Sequence, residues 1–396
     1  MTGDARAGPR IAMVAGEASG DHLGAGLIES LALECPQLRA FGVGGAEMEA
    51  RGFRSIFPMS EIAVMGPLAI AVRLGSLLAR LREAADAVIA AAPDALVIID
   101  CPEFSHRVAR RVRRRLMHVP IIDYGAPSVW AWRPGRARAM RAYVDEVMAL
   151  LPFEPDVFAR LGGPPCHYVG HPAVELGPPD AGRIARIRQS IGAGEGPVLA
   201  IMPGSRHNEL KRLCGPFADA VARLARAGDP PALVMPTLPH LSEHLEREVA
   251  GWAIRPHIVC AGPDRRAAMA LADAAIVASG TATLELALAR TPMVVAYRTE
   301  PLIAWLKPFI IKAHSFVLAN LVHGGSPIPE FYQGACTGEQ LAAAVAPLLR
   351  DGDERARQLA ALDVIAGNVE GDGEPPSRKA ARIVLDAVAR RRGRSD

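Results

Sequence analysis

The sequence predicts an α/β protein of two Rossmann-like domains, each a doubly wound parallel sheet, facing each other across a cleft. Three observations carry that expectation. Short, almost uninterrupted apolar runs alternate with helical stretches along the chain, the pattern of parallel strands covered on both faces. The alternation restarts after GHPAVELGPPDAG, a Pro- and Gly-rich stretch that reads as a linker. The length of 396 residues exceeds the roughly 100 to 200 that one ordinary core holds.

In the first half, RIAMVAGEASGDHLGAGLIESL gives a strand at Ile11 to Ala15, a glycine-rich turn at Gly16 to Gly20 and a helix with apolar Leu23, Leu27 and Leu31. Further strands are expected at Ala95 to Asp100, Pro120 to Gly125, Glu146 to Pro152 and His167 to Gly170. The second half repeats the pattern through PVLAIMPGSR, PALVMPT, HIVCAG, AAIVASGT and MVVAYR. The division is expected between residues 1–172 and 173–375. Ligands of such sheets bind beyond the carboxyl ends of the strands, so the residues just after the strands are the candidates for function.

Composition narrows the classes. Half the residues are hydrophobic, yet no stretch reaches the ~20 uninterrupted apolar residues of a spanning helix, so a soluble or surface-attached protein is expected. The N-terminus breaks at Gly16 and Glu17 after a short apolar run, which marks a first strand and not a signal peptide. Cys35, Cys101, Cys166, Cys214, Cys260 and Cys336 form no CxxC pair, so a reducing cytoplasm and no zinc site are expected. Net charge is only +3, but RVARRVRRR (Arg107 to Arg115), WRPGRARAMR (Trp132 to Arg141) and the apolar IAVMGPLAIAV (Ile62 to Val72) all lie in the first half. Together they suit an anionic membrane surface; the plainer alternative is a solvated helix face and a buried loop. An aromatic fraction of 5% and no RNA-binding signature argue against nucleic acid.

Two loops stand out as anion sites. MPGSRHNEL places Gly204, Ser205 and Arg206 directly after a strand, and SGTATLE places Ser279, Gly280 and Thr281 between a strand and a helix start. An arginine and a helix dipole suit a diphosphate without a metal, and no DxD pair lies near these loops. Neither a metal nor a cofactor is expected. Glu285, one turn into that helix, can accept both hydroxyls of a ribose, or be an exposed helix residue. The first loop, GEASGD, lacks GK[ST], and Gly16, Gly20, Gly24 and Gly26 do not give GxGxxG, so neither a P-loop nor a dinucleotide fold is indicated.

Taken together, strand-GEASGD-helix, IIDCPEF, APSVWAWR, LPFEP, YVGHP, PGSRHNE, SGTATLE, PMVVAYR and VLANL follow one another in an order and spacing that resembles the lipid-A-disaccharide synthase family, from Ile11 to about Leu349. The resemblance implies the GT-B architecture and an inverting glycosyl transfer. UDP-2,3-diacylglucosamine would be the donor and 2,3-diacylglucosamine 1-phosphate the acceptor, giving a β-1,6-linked disaccharide 1-phosphate and UDP. It implies work at the cytoplasmic face of a Gram-negative inner membrane. Other UDP-sugar enzymes of the same architecture, an epimerase or a peptidoglycan-type transferase, are the alternative, and a non-enzymatic adaptor is the third reading.

The resemblance also distributes roles. Asp100 would be the base that takes the proton of the acceptor 6-hydroxyl, with Glu103 the weaker candidate. The donor would lie on Gly204, Ser205, Arg206, Ser279, Gly280, Thr281, Glu285 and Asn320. The acceptor loops would be Gly16, Glu17, Ser19, Gly20, His22, Ser128, Trp130 and Arg133. His22 suits either orienting the acceptor or capping the first helix. Alternating spacing in SVWAWR turns one of Trp130 and Trp132 inward. Ile62, Val64, Met65, Leu68 and Ile70 would form an apolar lip toward the membrane, with PLIAWLKPFII (Pro301 to Ile311) a second candidate. The basic amphipathic helix at about 376–393 would pack back on the first domain or be exchanged between two subunits. The chain departs from the family's usual residues at Ser105, where Asn is common, at Ala126 of Ala126-Pro127-Ser128, where Ser is common, and at Ala319, where Pro is common. These departures bear on acceptor geometry more than on reaction type.

Overall fold

The computed structural model describes residues 8–62, 67–228, 230–300 and 314–393, with side chains omitted for 67–72. It divides into two compact units. One runs to Glu175 and takes back the chain from Asp372; the other is Leu176–Gly371.

The first unit is a parallel sheet of β1 (Arg10–Ala15), β2 (Arg39–Val43), β3 (Arg54–Ser55), β4 (Ala95–Ile99), β5 (Ile121–Tyr124), β6 (Glu146–Ala149) and β7 (Cys166–Tyr168), in the order β3-β2-β1-β4-β5-β6-β7. Its helices are α1 (Ala18–Glu34), α2 (Ala46–Glu49), α3 (Pro67–Ala91), α4 (Ser105–Arg113), α5 (Gly135–Met140) and α6 (Glu154–Arg160). Because successive strand residues face opposite sides, Ala12, Val14, Leu96 and Ile98 pack with Val88 and Val108 on one face. Ile11, Met13, Val97 and Ile99 pack on the other with Leu23, Leu27 and Leu31 of α1. The C-terminal helix, Pro376–Arg392, belongs to this second layer: Ala380, Ala381 and Val384 join the same core, and Ser30 Oγ donates to Ser377 Oγ at 2.8 Å.

The second unit repeats the plan with β8 (Val198–Met202), β9 (Ala232–Pro236), β10 (His257–Val259), β11 (Ala274–Ala278), β12 (Met293–Tyr297) and β13 (Glu330–Tyr332), in the order β10-β9-β8-β11-β12-β13. Helices α7 (Ala181–Ser190), α8 (His207–Arg226), α9 (Ser242–Val249), α10 (Gly262–Leu271) and α11 (Ala282–Leu288) alternate with these strands. In each sheet the strand order reverses once, at β1/β4 and at β8/β11. There Ala15 lies level with Ile99, and Met202 with Val277. The chain leaves these four strands into GEASGD, DCPEF, PGSR and SGT, so these four loops open at the topological switch points, while APSVWAWR follows β5 beside the first of them.

Several membrane-lip expectations change here. Ile62 is 6% exposed and belongs to the core cluster that holds Phe57 and Phe104, because the single turn Met59–Glu61 folds it inward. It is not part of an exposed lip. Val64, Met65 and Pro301 to Ile311 lie outside the described residues, as do the side chains of Leu68 and Ile70, although both fall in α3. Exposed apolar residues do occur one turn apart further along α3, at Leu74 and Leu78. Among the described residues, no helix is long and apolar enough to cross a membrane.

Candidate functional site

At the first switch point the chain turns sharply. Asp100 and Cys101 follow β4 with φ of 49° and 47°, two successive non-glycine residues in the left-handed region, a conformation that costs roughly 1–2 kcal/mol per residue. The surroundings hold them there. The buried Ser105 hydroxyl lies 2.7 Å from the Asp100 carbonyl oxygen and 3.0 Å from that of Cys101, and Asp100 N donates to Tyr124 O. The Asp100 carboxylate is aimed from both sides: Cys101 N donates to Oδ1 at 2.8 Å and Ser19 Oγ to Oδ2 at 2.5 Å. Strain retained at a strand end, with an oriented carboxylate, is the usual mark of a working position.

This turn explains why GEASGD fails every phosphate motif. A Cβ on Gly16 would stand 2.7 Å from both Cβ and Sγ of Cys101, and one on Gly20 3.1 Å from Ile99 O. The glycines admit the Asp100 turn. Burial, followed by the charges of Glu17 and Asp100, pushes the Cys101 thiol up to about 12, so it stays protonated and is no nucleophile. Glu17 is half-buried at the head of α1. His22 caps nothing; it is exposed on α1, its Nδ1 2.8 Å from Glu47 Oε2. Asp21 beside it is the capping residue, accepting from Gly45 N, Glu47 N and Met48 N. Burial and then nearby His22 bring the His171 imidazole down to about 4. It is neutral and accepts from Ala173 N at Nδ1, which leaves the ring proton on Nε2.

The APSVWAWR segment is a pair of turns closed by Ala131 N and Trp132 N on Ser128 O, not a strand. The inward and outward tryptophans are nonetheless present. Trp130, half-buried, packs on the core, edge-on to Phe153 at 5.5 Å, and its indole N–H donates to Glu154 Oε1 at 3.1 Å, which ties it to the framework. Glu154 also receives Leu150 N and Leu151 N, yet burial pushes its carboxyl up to about 7. Ser128, Trp132 and Arg133 are exposed.

The second switch point opens into a cavity of about 480 Å³. Gly204, Ser205, Arg206, Ser279, Gly280, Thr281 and Glu285 all line it; of the residues assigned to the donor only Asn320 does not. Asn320 is fully buried in the short helix Leu318–His323 and ties it to the turn and strand that follow, exchanging hydrogen bonds with Ile328 and donating to Glu330. Gly204 has φ +126°, and a Cβ there would stand 2.4 Å from Glu209 Oε2. That oxygen accepts from Ser205 N at 2.8 Å while Oε1 accepts from Arg206 at 3.2 Å. Glu209 therefore shapes the loop, and a glutamate three residues into a helix is the signal that sequence offered for it. Arg265 of α10 donates to Glu285 Oε2 at 3.3 Å and lines the same cavity; nothing local in the sequence pointed to it. Thr237, buried and with no hydrogen-bond partner at Oγ1, closes the wall at the end of β9.

Comparison with known proteins decides the family. The family model described as lipid-A-disaccharide synthetase matches residues 11–374. The chain belongs to the lipid-A-disaccharide synthase family. It is 46% identical over 395 residues to the lipid-A-disaccharide synthase of Rhodopseudomonas palustris strain CGA009, covering 98% of this chain and 99% of that one. It is also 46% identical over 401 residues to the one from Nitrobacter winogradskyi, with both chains covered in full. The fold matches a UDP co-structure of S. aureus MnaA with a TM-score of 0.64 at 14% identity, over 96% of this chain and 97% of that one. As a lipid-A-disaccharide synthase family member the protein is a GT-B glycosyltransferase of lipid A biosynthesis, taking a UDP-sugar donor and a sugar-phosphate acceptor.

Proposed function

We propose that the protein transfers the sugar of UDP-2,3-diacylglucosamine to the 6-hydroxyl of 2,3-diacylglucosamine 1-phosphate, forming the β-1,6-linked lipid A disaccharide 1-phosphate and UDP. The acceptor O6 attacks C1 as the bond from C1 to the diphosphate oxygen breaks, with inversion. Asp100 takes the proton, and its two hydrogen-bonded oxygens keep the carboxylate aimed for that transfer. The departing diphosphate lies in the second unit's cavity, where Arg206 and the backbone of Gly204, Ser205, Ser279, Gly280 and Thr281 take up its charge. Glu285, held by Arg265, accepts from the ribose hydroxyls. Gly16 and Gly20 position the Asp100 turn, while Glu17, Ser19, His22, Ser128 and Arg133 face the acceptor.

The observation that carries this reading is that residues distant in sequence gather in two places, each at a switch point, one around an oriented carboxylate and one around an anion cavity. Leu74 and Leu78 on α3, with the arginines of α4, support a peripheral position on the cytoplasmic face of the inner membrane. A homodimer made by C-terminal exchange would reuse the contact that Pro376–Arg392 makes with α1 in its own chain.

The test is UDP release by purified protein in detergent micelles with each lipid alone and with both together. Release that needs both lipids is expected. Release from the donor alone would instead point to a hydrolytic activity.

A further inference from the structure

One charged cluster of the first unit enters the transfer as described only through Arg133. Glu103, in the turn that follows Asp100, is surrounded by guanidinium groups: Arg136 Nη2 at 2.5 Å, Arg133 Nη1 at 3.1 Å and Arg107 Nη2 at 3.6 Å from its carboxylate oxygens. Trp132 forms the floor, its ring 4.4 Å from the Arg133 guanidinium carbon and 5.6 Å from that of Arg136. Three positive charges against one negative leave a local surplus of two. Glu103 is exposed at the surface; the desolvation it does suffer would raise its pKa, but the hydrogen bond from Arg136 and the charges of Arg136, Arg133 and Arg107 hold it below the usual carboxylate range. The cluster is built and not incidental. Arg133 has a left-handed backbone, φ 52°, and the Arg136 side chain is only 15% exposed. The indole of Trp132, 37% exposed, stays at the surface beneath them.

We propose that Arg133, Arg136 and Arg107 form a phosphomonoester site that reads the 1-phosphate of the acceptor, with Glu103 holding the guanidinia in place until the phosphate displaces it. This rests on the transferase reading above. A dianion recovers more charge-assisted hydrogen bonds from paired guanidinia than one carboxylate does, and planar forks favour phosphate. Placement also agrees: Glu103 and Asp100 are three residues apart, so their Cα atoms are separated by at most about 11 Å. The turn closed by Phe104 N and Ser105 N on Cys101 O keeps the two positions in one loop, close enough for opposite ends of one sugar phosphate to reach both. The site would thus set which end of the acceptor meets the base.

The experiment compares two acceptors in micelles, 2,3-diacylglucosamine 1-phosphate and the same diacylglucosamine without the phosphate, for wild type, Arg133→Ala and Glu103→Gln. Wild type should prefer the phosphorylated acceptor. Arg133→Ala should raise KM for that acceptor about tenfold to a hundredfold, the loss of a charge-assisted contact. It should change the dephosphorylated acceptor and the donor KM far less, so the preference collapses. Glu103→Gln, which removes the competing charge, should lower KM for the phosphorylated acceptor. Equal losses on both acceptors, or an unchanged preference, would overturn the proposal. So would Arg133→Ala that loses sedimentation with phosphatidylglycerol vesicles while keeping its acceptor preference, because the guanidinia would then serve bilayer headgroups. If wild type turns over neither acceptor, the transferase reading itself falls and takes this site with it. Arg133 is exposed, so its replacement leaves the fold intact.

Discussion

At the first unit's switch point the chain passes from β4 through two left-handed residues whose carboxylate is fixed by Ser19 and Cys101 N. At the second unit's, it passes from β8 and β11 through Gly204 and Gly280 into an open cavity ringed by arginines and backbone. The sheets share one plan, and the difference lies in what the glycines are for. In the first unit Gly16 and Gly20 let protein approach protein, which holds the Asp100 carboxylate in a fixed position. In the second, Gly204 likewise makes room for Glu209, but a Cβ on Gly280 would meet nothing within 4 Å, which leaves open space for a ligand there. The same loop position thus yields a fixed carboxylate in one unit and an open cavity in the other.

The largest effect should come from removing the proposed base. Asp100→Asn keeps the turn's shape and should lower kcat by about 10²- to 10⁴-fold, measured as UDP release with saturating lipids. Arg206→Ala acts on the other side of the comparison. It should raise the donor KM by about tenfold or more while the acceptor KM holds, as expected for loss of a charge-assisted contact to a diphosphate. Gly16→Ala asks whether the first loop is packing or ligand space. With Cys101 at 2.7 Å from the new Cβ, it should destabilise the protein by about 1–3 kcal/mol in urea and lower kcat through the displaced Asp100 turn. The smallest effect concerns the framework under Trp130. Glu154 has its folded pKa raised to about 7, so the stability it contributes when protonated is full below its ordinary value and is lost as pH rises through about 7. Glu154→Gln should flatten that part of the stability profile between pH 5 and 8, a difference of roughly 1–3 kcal/mol against wild type.

Much of this was legible along the chain. Apolar runs followed by small residues marked β1, β4, β8 and β11 and the loops after them, because strand burial and turn chemistry are local. What joins residues across the fold was not. Arg265 reaches Glu285 from another helix, and neither its type nor its spacing announces that. Ser105 could be read only as a departure from the family's asparagine, while the structure shows its hydroxyl clamping the Asp100 turn. Ile62 and Asn320 were misplaced for the same reason: an apolar residue after a short turn and an asparagine in a short helix look alike whether they face outward or lie buried. The left-handed pair at Asp100 and Cys101 carries no glycine to betray it.

The division of labour between the two switch points is tested most directly by titrating UDP into wild type, Asp100→Asn and Arg206→Ala by calorimetry. The account predicts that Asp100→Asn, though nearly inactive, binds UDP as wild type does, and that Arg206→Ala binds it at least about tenfold more weakly. Weakened UDP binding in Asp100→Asn, or undiminished binding in Arg206→Ala, would contradict it.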